Sequence, residues 1–337
     1  MIMNKNNINR ILHASIIGVV LLSSYIYSQD CDEGFTYYDM LPGNVNNINN
    51  DSSCFSDNDL TVLDSFISIN SLTDTYNLPL EPFEVGIQTW VTGRLVMLVA
   101  TYTGGGSNGL TQKINQLPEN IGQLSELTTL YLEKHDLTEL PESFTSLSSL
   151  ANLYISNNWL ITLPENFGSL ISLITLDLGY NQLESIPESI GGLEKLEYLF
   201  LFNNQLASLP ETICNLNLDW DGISPANYPY FASGGNYLCD PELIPDCVEN
   251  STNFEISMEQ NYYSFLLEEP QNCEDECPNL GDLNGDGEYN VLDIVNLANC
   301  VLEQNCADLE NGCVGDLNSD GEYNVLDIVS LVNLILS

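Results

Sequence analysis

Residues 141–209 read PESFTSLSSLANLYISNNWLITL (141–163), PENFGSLISLITLDLGYNQLESI (164–186) and PESIGGLEKLEYLFLFNNQLASL (187–209). Each stretch is 23 residues long, begins with a proline that follows an apolar residue, and reaches the frame L-x-x-L-x-L-x-x-N nine residues later, with isoleucine for one leucine in the first. The prolines keep this spacing from Pro118 to Pro210. A fixed period of this length indicates a solenoid, in which each unit buries its apolar face against its neighbours.

The repeated frame resembles the leucine-rich repeat family, in the form LPxxIxxLxxLxxLxLxxNx, over residues 93–247. The resemblance implies an α/β leucine-rich repeat solenoid, a right-handed superhelix shaped like a horseshoe. Its short strands bury their leucines between stacked coils, and the asparagine satisfies backbone groups where the chain turns. His135 stands where the first regular unit should carry asparagine. We interpret it as a solvent-side substitution rather than a catalytic histidine, because its frame implies no catalytic partner.

Both ends of the solenoid carry segments that can cover an open coil. The stretch DNDLTVLDSFISI, from Asp57 to Ile69, reads as an amphipathic helix opened by Ser56, and we assign a helical N-terminal cap to residues 30–92. After the last regular unit, Cys239 and Cys247 resemble the cysteine-stapled C-terminal cap of extracellular leucine-rich repeat proteins.

Near the C-terminus one loop sequence occurs twice, as DLNGDGEYNVLD at 282–293 and DLNSDGEYNVLD at 316–327. Each copy has oxygen ligands at loop positions 1, 3, 5, 9 and 12 and glycine at position 6, as an EF-hand-type calcium loop requires. An apolar helical pattern follows each loop. The sequence therefore predicts two Ca²⁺ ions. This loop followed by a helix occurs twice over residues 277–337, and the arrangement resembles the dockerin family. The resemblance implies a small all-α EF-hand domain.

The dockerin resemblance implies a set of ligands for each ion. The first set is Asp282, Asn284, Asp286, Asn290 and Asp293, with the backbone carbonyl of Glu288. The second set is Asp316, Asn318, Asp320, Asn324 and Asp327, with the backbone carbonyl of Glu322.

The same resemblance implies a cohesin-like partner, which in this family reads loop positions 10 and 11. Here those positions hold Val291 with Leu292, and Val325 with Leu326. Two interpretations stay open. Either a divergent cohesin-like domain binds these apolar pairs, or the pairs pack inside and the module is a calcium-stapled unit that folds on its own.

Residues 1–29 have the shape of a secretory signal peptide, with two basic residues before a short apolar run. No later stretch is long and apolar enough to span a bilayer. All ten cysteines follow this segment, which favours disulfides and predicts a secreted or cell-surface protein. The spacing fits local pairs such as Cys31 with Cys54, Cys239 with Cys247, and Cys300 with Cys306.

A formal charge of −42 dominates the composition. A surface this acidic repels phosphate backbones and anionic lipids, so we expect no nucleic-acid partner and no binding to a membrane surface. Residues 248–276 lose the repeat and gather acidic and polar residues. We interpret them as a linker that self-repulsion keeps extended, with room for one strand at Tyr262 to Leu267.

The strand positions that face away from the leucine core are rich in aromatic residues. We predict that they bind a protein or a glycan on the concave face, because rigid aromatic rings give contact area at low entropic cost. The alternative is a preference of strands for aromatic residues, without a ligand. The predicted ligand-binding residues are Tyr102, Tyr131, Tyr154, Tyr180, Tyr198, Phe200 and Phe202.

The sequence contains no recognisable nucleophile with its base and no zinc helix, and we predict a protein that is not an enzyme. The leading hypothesis is a secreted recognition or adhesion protein that docks through a calcium-dependent dockerin-like module. The alternative is a component of an extracellular polysaccharide-degrading complex, which targets carbohydrate or hydrolyses it weakly.

Overall fold

The structure is a computed structural model that describes residues 31–49, 53–105, 109–261, 263–273, 280–303, 305–306, 312–318 and 323–336. The predicted signal peptide at 1–29 lies outside the described residues. So do Asp320 and Glu322, two of the predicted ligands in the second calcium loop.

The described residues form twelve strands and four α-helices. The strands are β1 (Phe35–Tyr37), β2 (Val45–Ile48), β3 (Cys54–Ser56), β4 (Ile87–Val91), β5 (Arg94–Val99), β6 (Thr129–Tyr131), β7 (Asn152–Tyr154), β8 (Thr175–Asp177), β9 (Tyr198–Phe200), β10 (Phe231–Ala232), β11 (Ile256–Met258) and β12 (Leu266–Glu268). The helices are α1 (Asp57–Asn70), α2 (Asp246–Glu249), α3 (Val291–Glu303) and α4 (Val325–Leu336). Short 3₁₀ helices span Pro82–Glu84, Ile121–Gln123, Glu142–Ser146, Phe167–Ser169, Glu188–Gly192, Glu211–Asn215, Pro241–Leu243 and Gly312–Gly315.

One sheet of eight strands runs through the solenoid in the order β10-β9-β8-β7-β6-β5-β4-β2. From β5 to β10 all neighbours are parallel, and from β6 to β9 equivalent residues of the 23-residue repeat pair with one another, as Leu130, Leu153 and Leu176 do. These leucines are buried in one continuous core. The side of the coil opposite the strands carries 3₁₀ helices rather than α-helices, and prolines such as Pro141 lie directly before them. The solenoid fold is confirmed.

The asparagine of each regular unit holds adjacent coils together. Asn181 Nδ2 donates to the backbone oxygens of Ile155 in the preceding coil and Leu178 in its own coil, at 3.2 and 3.0 Å. Its Oδ1 accepts the backbone N–H of Leu160 at 3.1 Å. Asn158, Asn204 and Asn236 repeat this pattern. Each side chain therefore pairs backbone groups that the curved chain would otherwise leave buried and unsatisfied.

His135 occupies the first position of this asparagine ladder, and the prediction that it faces solvent is wrong. Its side chain is 1% exposed. Its Nδ1 accepts the backbone N–H of Ile114 at 3.2 Å, and its Nε2 lies 2.5 Å from the carbonyl oxygen of Ala100. Because a carbonyl only accepts, Nε2 carries the ring proton. A neutral imidazole offers one donor and one acceptor, so it can replace the asparagine amide.

The N-terminal cap is built around α1, whose predicted position is confirmed to within one residue. The Ser56 hydroxyl caps the helix by accepting the N–H of Asp59. The Asp59 carboxylate is fully buried and binds Arg94 at 2.9 and 3.0 Å, and it accepts the N–H of Leu95 at 2.8 Å. This buried pair fastens the cap helix to β5.

The disulfides agree with the predicted pairs in two cases and differ in one. Cys31–Cys54 and Cys300–Cys306 are present as expected. The predicted pair Cys239–Cys247 is wrong. Cys214 bonds to Cys247, and Cys239 bonds to Cys273. Cys239 and Cys247 are close in sequence but do not pair. Cys247 lies in α2 and bonds to Cys214 in the last repeat, and the segment that follows α2 brings Cys273 to Cys239.

Residues 253–261 and 263–273 fold against the solenoid, which differs from the extended linker that the sequence predicts. β11 and β12 pair antiparallel as a hairpin, and the Cys239–Cys273 disulfide holds its far end. Glu255 and Glu269 are joined through their backbones, so the acidic side chains do not prevent folding. We refer to residues 256–261 and 263–268 as the roof hairpin. In the part of the chain that the structure describes, no helix has the length and apolar character needed to cross a membrane.

We expect Asn181→Ala to destabilise the solenoid by about 3 kcal/mol, because it leaves one buried N–H and two buried carbonyls without their partner. Urea unfolding of the purified chain measures this loss. Asn115→Ala is the matched control, because Asn115 is exposed. His135→Asn should be close to neutral, and a loss as large as that of Asn181→Ala would contradict the equivalence of imidazole and amide at this position.

Candidate functional site

The roof hairpin lies along one column of the concave face and binds four successive repeats. Lys134 Nζ donates to the carbonyl oxygen of Asn261 at 2.9 Å, and Tyr180 donates its hydroxyl to that of Met258 at 2.7 Å. Between them, Asn157 Nδ2 donates to the carbonyl of Gln260 at 3.5 Å. In the last repeat, Asn203 Nδ2 donates to Ser257 Oγ at 2.8 Å and also binds Glu269. Successive positions of the hairpin therefore match successive repeats.

These four column residues share a left-handed backbone conformation, with φ of 65° at Lys134, 57° at Asn157, 54° at Tyr180 and 54° at Asn203. The next equivalent residue is Gly235, with φ of 72°, where the conformation carries no steric penalty. A bulky residue such as tyrosine is strained there. The contacts of Tyr180 with Met258 offset that strain.

An aromatic cluster joins the roof hairpin to the end of the solenoid. Phe202 is fully buried, and its ring meets that of Tyr263 at 5.5 Å. The predicted role of Phe202 as an exposed ligand contact is therefore not compatible with its position. Gly179 lies directly beneath this ring and leaves no space for a Cβ atom. Phe200 is also buried, although it lines the cavity described next.

Between the sheet and the roof hairpin lies a cavity of about 450 Å³. Tyr131 and Tyr154 form one wall and stack with ring centroids 4.3 Å apart and planes 12° from parallel. Further lining comes from Thr101, Glu133, Lys134, Ser156, Asn157, Thr175, Asp177, Tyr198, Phe200, Ser224, Ala226, Tyr228, Gln260, Asn261 and Tyr263. The structure thus brings together four of the predicted aromatic residues, Tyr131, Tyr154, Tyr198 and Phe200.

Tyr102 and Tyr180 lie outside this cavity and line a neighbouring depression. Lys113 Nζ lies 5.7 Å from the centre of the Tyr102 ring, a cation–π arrangement. Tyr180 is engaged by the hairpin, as described above. The predicted aromatic column is therefore divided into a cavity, a hairpin contact and a separate surface.

Asp177 is the cavity residue that sequence reasoning missed. Its carboxyl is fully buried. Oδ1 accepts the N–H of Gly179 at 3.1 Å and the hydroxyl of Tyr263 at 3.2 Å, whereas Oδ2 makes no hydrogen bond of ordinary geometry among the described residues. Burial raises the pKa of Asp177 to about 7, although its contacts with Gly179, Ser156 and Tyr263 lower it. The sequence signal that could have identified Asp177 is its position between Tyr154 and Phe200 in the same column of the repeat, where an acid is out of pattern.

Glu133 adds a second carboxyl to the cavity. It accepts the hydroxyl of Thr101 at 2.7 Å. Burial raises its pKa, while Thr101 and the charge of Lys134 oppose the shift. The charge of Glu133 in turn contributes to the raised pKa of Asp177. Two carboxyls among tyrosine rings give the cavity a hydrogen-bonding interior that becomes anionic as the carboxyls ionise.

The first calcium loop is described throughout and is closed by its own aspartates. The Asp293 carboxylate is fully buried and accepts the N–H groups of Asn284 at 3.2 Å and Asn290 at 2.9 Å. Asp282 accepts the N–H of Asp286 at 3.1 Å and that of Gly287 at 2.8 Å. The N–H of Glu288 donates to Asp286 and is the main cause of the lowered pKa of Asp286.

The second loop shows the same closure where it is described. Asp327 is fully buried and accepts the N–H groups of Asn318 at 3.3 Å and Asn324 at 2.9 Å, as its counterpart does in the first loop. Asn324 also accepts the N–H of Leu326 at 2.8 Å. Asp316 lies at the start of this loop.

The donor set of these loops suits a hard cation. Aspartate, asparagine and backbone oxygens are ligands that Ca²⁺ prefers, and no sulfur or imidazole ligand takes part. Within the described residues, no three His, Cys, Asp or Glu side chains converge on one point. Amide and carbonyl oxygens are therefore needed to complete the shell, as the ligand sets above include.

The apolar pairs beside the loops are exposed, which contradicts the interpretation that they pack inside the module. Val291 is 66% exposed and Val325 is 64% exposed, and Leu292 and Leu326 are similar. The core between α3 and α4 is formed by other residues, including Leu297 and Leu331. The pairs do not pack inside the module.

Comparison with protein families agrees with the repeat solenoid and with the C-terminal calcium loops. Residues 109–179 match the description "Leucine-rich repeat region", and residues 162–206 match "Leucine rich repeat". Residues 280–336 match "Dockerin type I domain". The chain carries leucine-rich repeats and a C-terminal dockerin type I domain. Dockerin type I domains bind calcium, and neither matched family is an enzyme family. No curated protein matches the chain significantly.

Three solved structures are similar to the leucine-rich repeats. A leucine-rich repeat protein of Leptospira interrogans is 30% identical with a TM-score of 0.32, and the match covers 44% of each chain. A plant ice-binding protein is 19% identical with a TM-score of 0.38, and the match covers 54% of this chain and 64% of that one. The leucine-rich repeat ectodomain of the receptor kinase SOBIR1 from Arabidopsis thaliana is 23% identical with a TM-score of 0.40, covering 57% and 96%. Scores this low carry no argument about ligands.

Removing calcium should unfold the dockerin domain and leave the repeats folded, because only the dockerin loops gather ion ligands. Calorimetry of the full chain should show one transition that shifts with EDTA and one that does not.

Asp293→Ala should reduce the calcium stoichiometry from two ions to one in titration calorimetry. Asp39→Ala, at an exposed site in the N-terminal cap, should leave it unchanged. An unchanged stoichiometry in Asp293→Ala would contradict the ligand set.

Asp177 and His135 should give the repeats opposite pH dependences. The raised pKa of Asp177, about 7 against 3.8, means that the folded state holds a proton that the unfolded state has lost. Its stabilising effect is complete below pH 4 and disappears as the pH rises through 7. The lowered pKa of His135, about 4 against 6.5, means the reverse, and stability is lost as the pH falls from 6.5 to 4.

Urea unfolding between pH 4 and 8 checks both effects. Relative to the unaltered chain, Asp177→Asn should gain stability as the pH rises, by on the order of 4 kcal/mol at most. His135→Asn should gain stability as the pH falls. A difference that does not vary with pH for either variant would contradict the buried state of that group.

Proposed function

We propose that this chain is a secreted, non-enzymatic recognition protein, which binds a partner on its repeats and docks through its dockerin domain to a cohesin-like domain. The observation that carries the proposal is the exposure of Val291, Leu292, Val325 and Leu326 beside the two calcium loops. Exposed apolar pairs cost solvation free energy, and a docking partner would recover it. Disulfides in the N-terminal cap, at the C-terminal end of the solenoid and in the dockerin domain support an oxidising, extracellular location.

The duplication of the loop adds a further property to the docking surface. The two loops end in the same GEYNVLDIV sequence, and the two apolar pairs have nearly equal exposure. Either loop can therefore present a similar face to one partner. Calcium sets this face, because Asp293 and Asp327 both close the loop and lie in the first turn of the helix that carries the pair.

We expect Leu292→Asp or Leu326→Asp alone to leave binding to a cohesin domain measurable, and the double variant to abolish it. A charge in the centre of an apolar interface carries a large desolvation cost, whereas the unaltered loop can still dock. Biolayer interferometry of the full chain with a panel of purified cohesin domains, with calcium or EDTA, measures this. Leu302→Asp is the control, because Leu302 is 81% exposed and lies at the far end of α3.

An interaction that survives both the double substitution and EDTA would contradict docking through the calcium loops. Failure of every cohesin domain in the panel, with a calcium-dependent partner of another fold captured from the secretome, would keep the docking role and reject a cohesin-like partner.

A role in a polysaccharide-degrading complex is the second candidate. It is favoured by the dockerin domain and by the cavity with stacked tyrosines and two carboxyls. A glycan array and a reducing-sugar assay separate the two. Binding of a partner without release of sugar supports the recognition protein, and release of sugar by the purified chain would overturn it.

A further inference from the structure

We propose that the cavity beneath the roof hairpin receives the guanidinium group of an arginine from a protein partner, between Tyr154 and Phe200 and against the carboxylate of Asp177. This inference rests on the proposed function, because it names the chemistry that the concave face of the repeats recognises.

The register of the sheet creates a slot of the required width. Tyr154, Asp177 and Phe200 pair side by side on β7, β8 and β9. Neighbouring strands are about 4.8 Å apart, so the two aromatic residues are separated by about 10 Å. The side chain of Asp177 is shorter than either ring, and the hydroxyl of Tyr263 enters the space above it. One face of the Tyr154 ring stacks on Tyr131, and its other face points along the column into this slot.

A planar group fits such a slot. Aromatic rings and flat partners stack with centres about 4.5–7 Å apart, and two such contacts fill a 10 Å gap. A guanidinium is planar, stacks on aromatic faces and presents a fork of N–H donors that matches a carboxylate. An ammonium group lacks the flat face and is more strongly hydrated.

The charges that line the cavity favour a cation. Asp177 Oδ2 is buried and makes no hydrogen bond of ordinary geometry within the described residues, and Glu133 adds a second carboxyl. Lys134 is the one described basic residue of the lining, and its Nζ donates to the carbonyl of Asn261 in the hairpin. A neutral sugar would stack on the rings but leave the buried carboxylate without a counter-charge. The charge of −42 on the whole chain also attracts a basic partner.

Tyr263 occupies the position that the cation would take. Its hydroxyl donates to Asp177 Oδ1 at 3.2 Å, while its ring packs on Phe202. Asp177 is fully buried in this arrangement, so a guanidinium reaches it by displacing the phenol. Tyr263 thus acts as an internal competitor supplied by the roof hairpin.

The test uses the full, calcium-loaded chain and N-acetyl-arginine amide, titrated by NMR. We expect saturable binding that N-acetyl-citrulline amide and N-acetyl-lysine amide each show at least tenfold more weakly. Asp177→Asn should weaken binding of the arginine probe by at least tenfold, because the amide carries no charge. Tyr263→Phe should strengthen it several-fold, because it removes the competing hydroxyl. Glu139→Gln is the matched control for charge, because Glu139 is exposed and outside the cavity.

Equal binding of arginine and citrulline probes, or no binding by the unaltered chain, overturns the proposal. So does displacement of the arginine probe by neutral oligosaccharides, which would assign the slot to a glycan. If Asp177→Asn disturbs the fold by circular dichroism, Tyr154→Leu tests the stacking wall and should lower affinity at least tenfold. Calcium-dependent docking, measured on the same samples, distinguishes failure of the proposed function from failure of arginine binding. If docking persists without arginine binding, only this inference fails.

Discussion

The repeat register of the strands is the constraint on which the rest of the structure depends. Each coil buries its leucines against the next, but a curved stack also exposes backbone groups at every turn to an apolar interior. The asparagine ladder satisfies these backbone groups. The side-chain amide of each ladder asparagine donates to carbonyl oxygens of two coils and accepts one backbone N–H, at Asn158, Asn181, Asn204 and Asn236. Side chains at equivalent positions therefore form straight columns, and every surface feature of the repeats is built from such columns.

One column explains why the concave face is partly covered by the chain itself. The position before the ladder residue is left-handed in each regular unit, which turns Lys134, Asn157, Tyr180 and Asn203 in the same direction. The roof hairpin meets all four with backbone or side-chain acceptors. The neighbouring column is left beneath the hairpin as a cavity. An acidic segment can pack here because its backbone, and not its charge, supplies most of these contacts.

In the dockerin domain, local sequence determines the geometry of the two loops and of the helices that follow them. Asp293 and Asp327 close their own loops and lie in the first turn of the helices that follow, so the duplicated sequence gives a duplicated geometry. The exposed Val-Leu pairs result from the same rule, because positions 10 and 11 lie at the beginning of a helix whose core positions come later. In the proposed function, calcium binding and partner binding are linked through these few residues.

The sequence by itself determined the solenoid, its period, the capping helix and the calcium loops, because each depends on contacts between residues at fixed, short separations. It also identified Tyr131, Tyr154 and Tyr198 as residues of one concave face. Only the tertiary structure decided which of these surfaces remain open. The burial of Phe202, the pairing of Cys239 with Cys273 and the isolation of Asp177 depend on a later segment that returns to the repeats. His135 is buried by contacts with the neighbouring coils, where the imidazole replaces the amide of the ladder. A periodic pattern specifies what each coil offers to its neighbours, but it contains no information on a later hairpin that covers them.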